Sequence, residues 1–293
     1  MLNATVRCRP TFGGAFADGP LGGGVMRVMY WNCTTPSGAG NMFAGKKLDA
    51  IKDRVLTLQP HVLCLDEVSA LVTDANDFAA KYLNSAALTY KAGPIIKNDG
   101  VHLNTVAFYL QPSAAASSAP KFDVGIPQEN WDNEQTKRDL IRVYWLAGTS
   151  PVTLWFLHAN ASKSGGQTAL DRAAKATSQK YAAFIGDFNT GCVARADAAT
   201  VQPTVGRYSF SQWKSELKPA AGSGTMAGLV DVPGSSTYMV RPNSSGFIDF
   251  AVANKAGLAL TPVDSLGSIT EETLRTIMLG CDHFPIAYDV ATK

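Results

Sequence analysis

Short apolar runs that close on a polar or charged residue recur along the whole chain. VMRVMYW, HVLCL, NTVAFYL, IRVYWL, VTLWFLHA, AAFIGDF, GFIDFAVA and FPIAYDV all have this form. Their length and their content of β-branched and aromatic residues predict strands. Helical spacing falls between several of them. KKLDAIKDRVLTL puts Leu48, Ile51, Val55 and Leu58 on one stripe, and TALDRAAKATSQKYA is a second, alanine-rich candidate. Strands exceed helices and the two interleave, so the class is α/β. SAAASSAPK and KPAAGSGTMAG read as loops because small residues dominate them, and Asp231 in GLVDVPG reads as a turn or cap residue. Residues 1–24 are rich in glycine and lack periodicity, which predicts a flexible extension ahead of a single folded domain over 25–293.

The polar closures of these runs carry the chemistry. Asn32, Glu67, His158 with Asn160, Asp187 with Asn189, and Asp249 stand at strand ends or just beyond, and a CDHF loop adds Asp282 and His283. Polar tips on many apolar strands predict one shared cavity at one rim of a sheet. Within FIGDFN the acid and the amide are two residues apart and point to the same side of an extended backbone. Oxygen donors with two histidines and no cysteine set suit magnesium, manganese or calcium better than zinc or copper. Magnesium takes few carboxylates and shares itself with phosphate oxygens, so this donor set points to phosphate-ester chemistry.

Composition narrows the setting. The chain has 293 residues, 46% of them hydrophobic, enough to bury a full core. A formal charge of +2 gives no global argument for a strongly basic nucleic-acid binder, so an anionic substrate must be met locally. The five cysteines are scattered, odd in number and without CxxC spacing, which predicts reduced thiols, Cys192 included, and cytoplasmic folding. The first residues lack the apolar stretch of a Sec signal or an anchor, so export would need another route. His61 and His102 read as surface or structural histidines. Trp131, Trp145, Trp155 and Trp213 read as core or rim anchors, and Tyr238 as the better candidate for base stacking.

Taken in chain order, RVMYWN, PHVLCLDEV, FIGDFN, SGFIDFAVA and CDHFPIAYDV resemble the elements of the endonuclease/exonuclease/phosphatase superfamily, whose fold is that of pancreatic-type deoxyribonuclease. The likeness runs from about Val25 to Val290. FLHANASKSGG and the Gly/Ser-rich loop after WNC look most like the nuclease subunit of cytolethal distending toxins. The resemblance implies a four-layered α/β/β/α sandwich of two packed mixed β-sheets flanked by helices, with a cleft between the sheet tops. It implies a metal site at Asn32, Glu67 and Asp282. Asp187 and Asn189 would bind the scissile phosphate, position the attacking water or hold a second metal. His283, oriented by Asp249, would act as general base, while His158 donates a proton or steadies the phosphate. Arg138, Asn160 and Asn104 would contact substrate phosphate.

The pattern also departs from the deoxyribonuclease branch. Thr34 and Ser69 stand where that branch carries minor-groove arginines. Asn104 stands where a carboxylate would orient the first histidine, and a neutral amide would raise the basicity of His158 less than an ion. These departures leave metal-dependent phosphoester cleavage and weaken duplex recognition. The expected activity is a magnesium-dependent nuclease acting on DNA, in a toxin-like or secreted setting. The alternatives are a phosphoinositide phosphatase or sphingomyelinase-type phosphodiesterase on the same fold, and an inactive binding module.

Overall fold

A computed structural model describes residues 25–33, 46–69, 74–97, 103–111, 119–125, 140–147, 149–159, 180–188, 223–226, 230–233, 249–254, 256–263, 265, 283 and 285–293. Two mixed sheets organise them. The first contains β1 (Val25–Asn32), β2 (Val62–Ser69), β3 (Tyr90–Lys97), β4 (Leu103–Leu110), β12 (Leu258–Val263) and β13 (Ile286–Thr292), in the order β12-β13-β1-β2-β4-β3. The second contains β5 (Lys121–Gly125), β6 (Leu140–Ala147), β7 (Ser150–His158), β8 (Ala182–Asp187), β9 (Ser223–Met226), β10 (Val230–Pro233) and β11 (Asp249–Asn254), in the order β5-β6-β7-β8-β11-β10-β9. Among these strands, each sheet holds one parallel pair, β1 with β2 and β7 with β8, and the remaining pairings are antiparallel.

Alternation along the strands divides the apolar residues between two cores. Met26, Val28 and Tyr30 of β1 face the second sheet, where they meet Leu154 and Phe156 of β7, Ile185 of β8 and Ala251 of β11. Met29 and Trp31, of opposite parity, face the helices. These helices are α1 (Lys46–Leu58) and α2 (Ala75–Phe78), the latter capped by Asp74 and continued by one π-helical turn over Ala79–Leu83. The expected stripe of α1 is buried: Leu48, Ile51, Val55 and Leu58 all lie in the helix-side core. The architecture is thus an α/β sandwich of two packed mixed sheets with helices against the first. The second predicted helix, TALDRAAKATSQKYA, falls largely on residues 160–179, outside the described residues, as does the extension over 1–24.

The strands with clear apolar runs are those in the middle of the sheets. β3, β5, β9, β10 and β12, which the runs do not predict, are the four sheet edges and one neighbour. β3 contains Pro94 and shifts register between Ala92 and Ile95, while β12 contains Pro262, residues that a ladder tolerates chiefly at its edge. The segments read as a loop at KPAAGSGTMAG and a turn at Asp231 instead supply the antiparallel pair β9 and β10, with Asp231 paired to Thr225 and Ala253. Small and polar residues hid these strands because an edge pairs through its backbone and need not bury a full side-chain row.

Two local features hold the parallel pairs in place. Gly186 has φ +157, and a Cβ there would stand 1.9 Å from the Leu157 carbonyl oxygen, so β7 and β8 approach more closely than any side chain permits. His61 precedes β2, is buried, and accepts the Arg27 backbone N–H on Nδ1 at 2.7 Å while its backbone N–H donates to the Arg27 carbonyl at 2.8 Å. Burial first, and the Arg27 guanidinium second, lower the His61 pKa to about 4. Its role is structural, one of the two readings the sequence allowed.

Gly186→Ala is expected to destabilise the fold by on the order of 3 kcal/mol, because backbone rather than a flexible side chain blocks the added methyl. Urea unfolding checks this, and an unchanged midpoint would show that the strands can separate freely. The neutral His61 contributes stability that is complete above the unfolded pKa near 6.5 and is lost as pH falls toward about 4. Between those limits unfolding should become easier by on the order of 3 kcal/mol, and His61→Asn should flatten that part of the pH–stability curve.

Candidate active site

The interface between the sheets turns polar at one end. Asn32 continues the parity of Met26, Val28 and Tyr30, and Asp66 that of Val62 and Cys64. In the second sheet His158 continues Leu154 and Phe156, Asp187 continues Ala183 and Ile185, and Asp249 continues Ala251 and Ala253. Register aligns them laterally: Asn32 pairs with Asp66, His158 with Asp187, and Asp187 with Asp249. The rows lie at the carboxyl ends of both parallel pairs, the end at which α/β sheets present their ligand sites.

Asp66 anchors the first imidazole. Its Oδ2 lies 2.6 Å from His158 Nδ1 and accepts the Tyr30 hydroxyl at 2.8 Å, while its Oδ1 accepts a short hydrogen bond from Thr105. Burial is the largest single influence on His158 and lowers its pKa. The Asp66 charge and hydrogen bond, with Asp187 and Glu67 behind them, outweigh it, and the net shift is upward. The carboxylate that orients His158 therefore comes from the strand beside residue 104. This corrects the expectation of a neutral-amide environment: Asn104 lies buried in β4 across from Val68, and its neighbour Thr105 reaches the acid.

Glu67 is aimed by a break in β2. The register between β2 and β4 shifts between Leu65 and Val68, and Glu67 takes φ +53, a left-handed conformation uncommon for a residue with a Cβ. Leu63 and Leu65 face the helices, and so does Val68, of opposite parity. Strict alternation would have sent the Glu67 carboxylate into that apolar core. The bulge instead brings its Oε1 to 3.9 Å from His158 Nε2, with the side chain 15% exposed. A strained residue at a rim of acids is where a functional constraint is expected.

The second imidazole is built the same way. His283 Nδ1 lies 2.8 Å from Asp249 Oδ2, its Nε2 lies 3.8 Å from Asp187 Oδ2, and its carbonyl accepts the Trp31 indole N–H at 3.0 Å. Asn32 gives its Nδ2 to Asp187 Oδ2 at 3.2 Å, so the atom it offers a cation is its amide oxygen. Burial first, with the Asp187 charge adding and His283 opposing, raises the Asp249 pKa to about 6. Among the described residues, four carboxylates thus meet two imidazoles in a largely buried space, an excess of negative charge that a cation would relieve. Asp187, Asp249 and His283 also bring one ligand atom each within 4.8 Å of one another, a spacing that can hold a metal ion. The 2.8 Å contact, however, already commits His283 Nδ1 to Asp249, and we read that pair first as an oriented imidazole.

Neither a protein-family model nor a curated protein sequence matches the chain. Solved structures do. The human Nocturnin catalytic domain with bound sulfate is similar over 92% of this chain and 94% of its own, at 14% identity and a TM-score of 0.53. A functionally unknown conserved protein from Enterococcus faecalis is similar over 92% of this chain and 100% of its own, at 13% identity and a TM-score of 0.50. The chain has the endonuclease/exonuclease/phosphatase fold. Truncated Caenorhabditis elegans TDP2 also matches, over 91% of this chain and 98% of its own, at 16% identity and a TM-score of 0.49.

Within this fold Asn32, Glu67, His158, Asp187, Asp249 and His283 come together at one rim. Asp282, Asn189, Asn160 and Arg138 lie outside the described residues, as do Cys192, His102, Trp131, Trp213 and Tyr238. Trp145 and Trp155 are buried anchors, and Cys33 and Cys64 are buried thiols. Asp66, Tyr30 and Thr105 were not anticipated as site residues. Only parity could have revealed Asp66, which sits two places after Cys64 on the inter-sheet side.

Asp66→Asn should keep the shape of this group while removing the charge beside His158. We expect activity on a phosphate ester to fall by about ten- to a hundred-fold, with Thr105→Val milder. Steady-state rates on purified variants, with thermal unfolding as control, check this; equal activity in Asp66→Asn would show that the charge does not matter.

Proposed function

We propose that this protein is a divalent-cation-dependent phosphodiester hydrolase, with DNA as its substrate and residues 25–293 as one catalytic domain. One observation carries the reading: two carboxylate-oriented imidazoles, Asp66–His158 and Asp249–His283, face a rim shared with Asp187 and with a Glu67 that a strained bulge turns inward. Fold likeness to Nocturnin supports it only at the level of architecture. DNA is favoured by the resemblance of FLHANASKSGG to the toxin nuclease subunit.

Roles follow from which nitrogen is engaged. His283 gives Nδ1 to Asp249, so Nε2 is the atom that can take a proton from water. The 3.8 Å between that nitrogen and Asp187 Oδ2 is too long for a direct hydrogen bond and suits one water oxygen bonded to both. His158 gives Nδ1 to Asp66, and its raised pKa favours the cation, so its Nε2–H can donate to a phosphoryl oxygen or to the leaving oxygen. Glu67 and the Asn32 oxygen, with Asp282 beyond the described residues, would hold a magnesium or manganese ion. Bound there, the ion supplies Lewis-acid stabilisation of charge on the phosphate.

The test is a panel of supercoiled DNA, single-stranded DNA, RNA and inositol phosphates, each with magnesium and with excess chelator. Nicking of supercoiled DNA that chelator abolishes is expected, and it should fall by about 10²- to 10⁴-fold in His158→Ala and His283→Ala. Cleavage confined to inositol phosphates would replace the substrate while keeping the chemistry. Absence of turnover on the whole panel, or full activity in His283→Ala, would end the reading.

A further inference from the structure

His283 sits on a segment that must hold its imidazole against Asp249 and Asp187, and the contacts that fix it come from outside the rim. Trp31 Nε1 donates to the His283 carbonyl at 3.0 Å. Two residues further on, the Pro285 carbonyl accepts the Ser265 hydroxyl at 2.6 Å. The Ser265 carbonyl in turn lies 3.4 Å from Arg54 Nη1. Arg54 is on α1, between Ile51 and Val55 on the helix face that enters the core, and its side chain is only 1% exposed. Its Nε bonds Asp53 Oδ2 at 2.9 Å, and Nη2 makes a short contact with the same oxygen. Asp53 itself is 44% exposed, so the pair brings a guanidinium inward from a partner that stays near water.

A buried guanidinium costs several kcal/mol to desolvate, and an apolar residue at this position would complete the α1 stripe without that cost. Stability alone therefore does not account for Arg54. Its reach does: the fork spans from the helix to the backbone of Ser265, whose side chain holds the backbone beyond His283.

We propose that Arg54 and Ser265 form a buried strut that sets the position of the His283 imidazole from behind, making them positioning residues for the hydrolysis assigned above, on which this inference rests. Neither touches substrate. Trp31 tethers the His283 carbonyl and the strut tethers the Pro285 carbonyl, so the backbone that carries the imidazole is held at two points on its carboxyl side. Loss of the Ser265 hydroxyl releases one tether and lets Nε2 drift from Asp187, where displacement of about 1 Å is enough to lower turnover greatly.

The test compares Ser265→Ala, Ser265→Thr and Arg54→Lys with the unsubstituted 293-residue chain, using the phosphate ester that it turns over best. Ser265→Ala is expected to lower kcat by roughly ten- to a hundred-fold with KM within about twofold. Ser265→Thr, which keeps a hydroxyl, should recover most of that loss, and Arg54→Lys should fall between them. A second readout does not need turnover: among the four histidines, the His283 ring signal in a 13C-labelled sample, assigned by its loss in His283→Ala, should shift or broaden in Ser265→Ala while that of His61 stays fixed. Wild-type kcat and an unmoved His283 signal in a folded Ser265→Ala protein would overturn the strut. If the wild-type protein turns over nothing, the functional reading fails, and the ring signal alone still decides whether the strut positions His283.

Discussion

The constraint on which this structure depends is the alternation of side chains along strands packed face to face. Each central strand buries one row of apolar residues against the opposite sheet, and where that row reaches the rim its parity is inherited by Asn32, Asp66, His158, Asp187 or Asp249. A reactive side chain aimed at the cleft is thus the last member of a row whose earlier members are locked in a core. Precision at the rim comes from packing below it. Residues such as Val28, Cys64, Phe156 and Ile185 hold the polar ends in register although none of them takes part in chemistry. That is the arrangement in which a preorganised site is cheapest to maintain, because the scaffold that fixes it is needed for folding anyway.

Central strands were legible in the sequence because they bury at least one full face, and most of them both, and so read as apolar runs. β1, β2, β4, β6, β7, β8, β11 and β13 each correspond to such a run. Edges were not legible, since β3 and β12 carry proline, β5 is short and largely exposed, and β9 with β10 falls in segments of small residues and turn formers. Pairing through backbone alone leaves little trace in side-chain pattern. The same distinction holds at the site. Glu67, His158, Asp187 and Asp249 stand out as polar ends of apolar rows, and His283 as part of the CDHF loop. Asp66 does not, because the run HVLCLDE looks as if it ends on one acid when it ends on two with different tasks.

Burial and charge pull against each other throughout this rim, and the balance differs by residue. For His158, desolvation opposes the cation and is the largest single influence, yet three carboxylates together overcome it. Asp249 shows the reverse: desolvation and the Asp187 charge raise its pKa to about 6 in spite of His283. One imidazole is therefore biased toward holding a proton, while its counterpart sits beside an acid that is itself reluctant to ionise. Environments that push titratable groups apart in this way are what the proposed division between a proton donor and a proton acceptor requires.

The bulge in β2 joins these threads. Asp66 and Glu67 are consecutive, and in a regular strand they would point to opposite faces, one into the inter-sheet space and one into the helix-side core beside Leu65 and Val68. A carboxylate in that apolar core would be costly to ionise. Turning Glu67 through φ +53 avoids that cost at the smaller expense of a left-handed residue, of order 1–3 kcal/mol. The outcome is two adjacent acids on the same side of the sheet, Asp66 committed to Tyr30, Thr105 and His158, and Glu67 half-buried at the rim where a cation would be met. Backbone strain at one residue thus separates a carboxylate that orients an imidazole from the one proposed above to hold a metal ion. A sequence pattern records the two acids but not the turn between them.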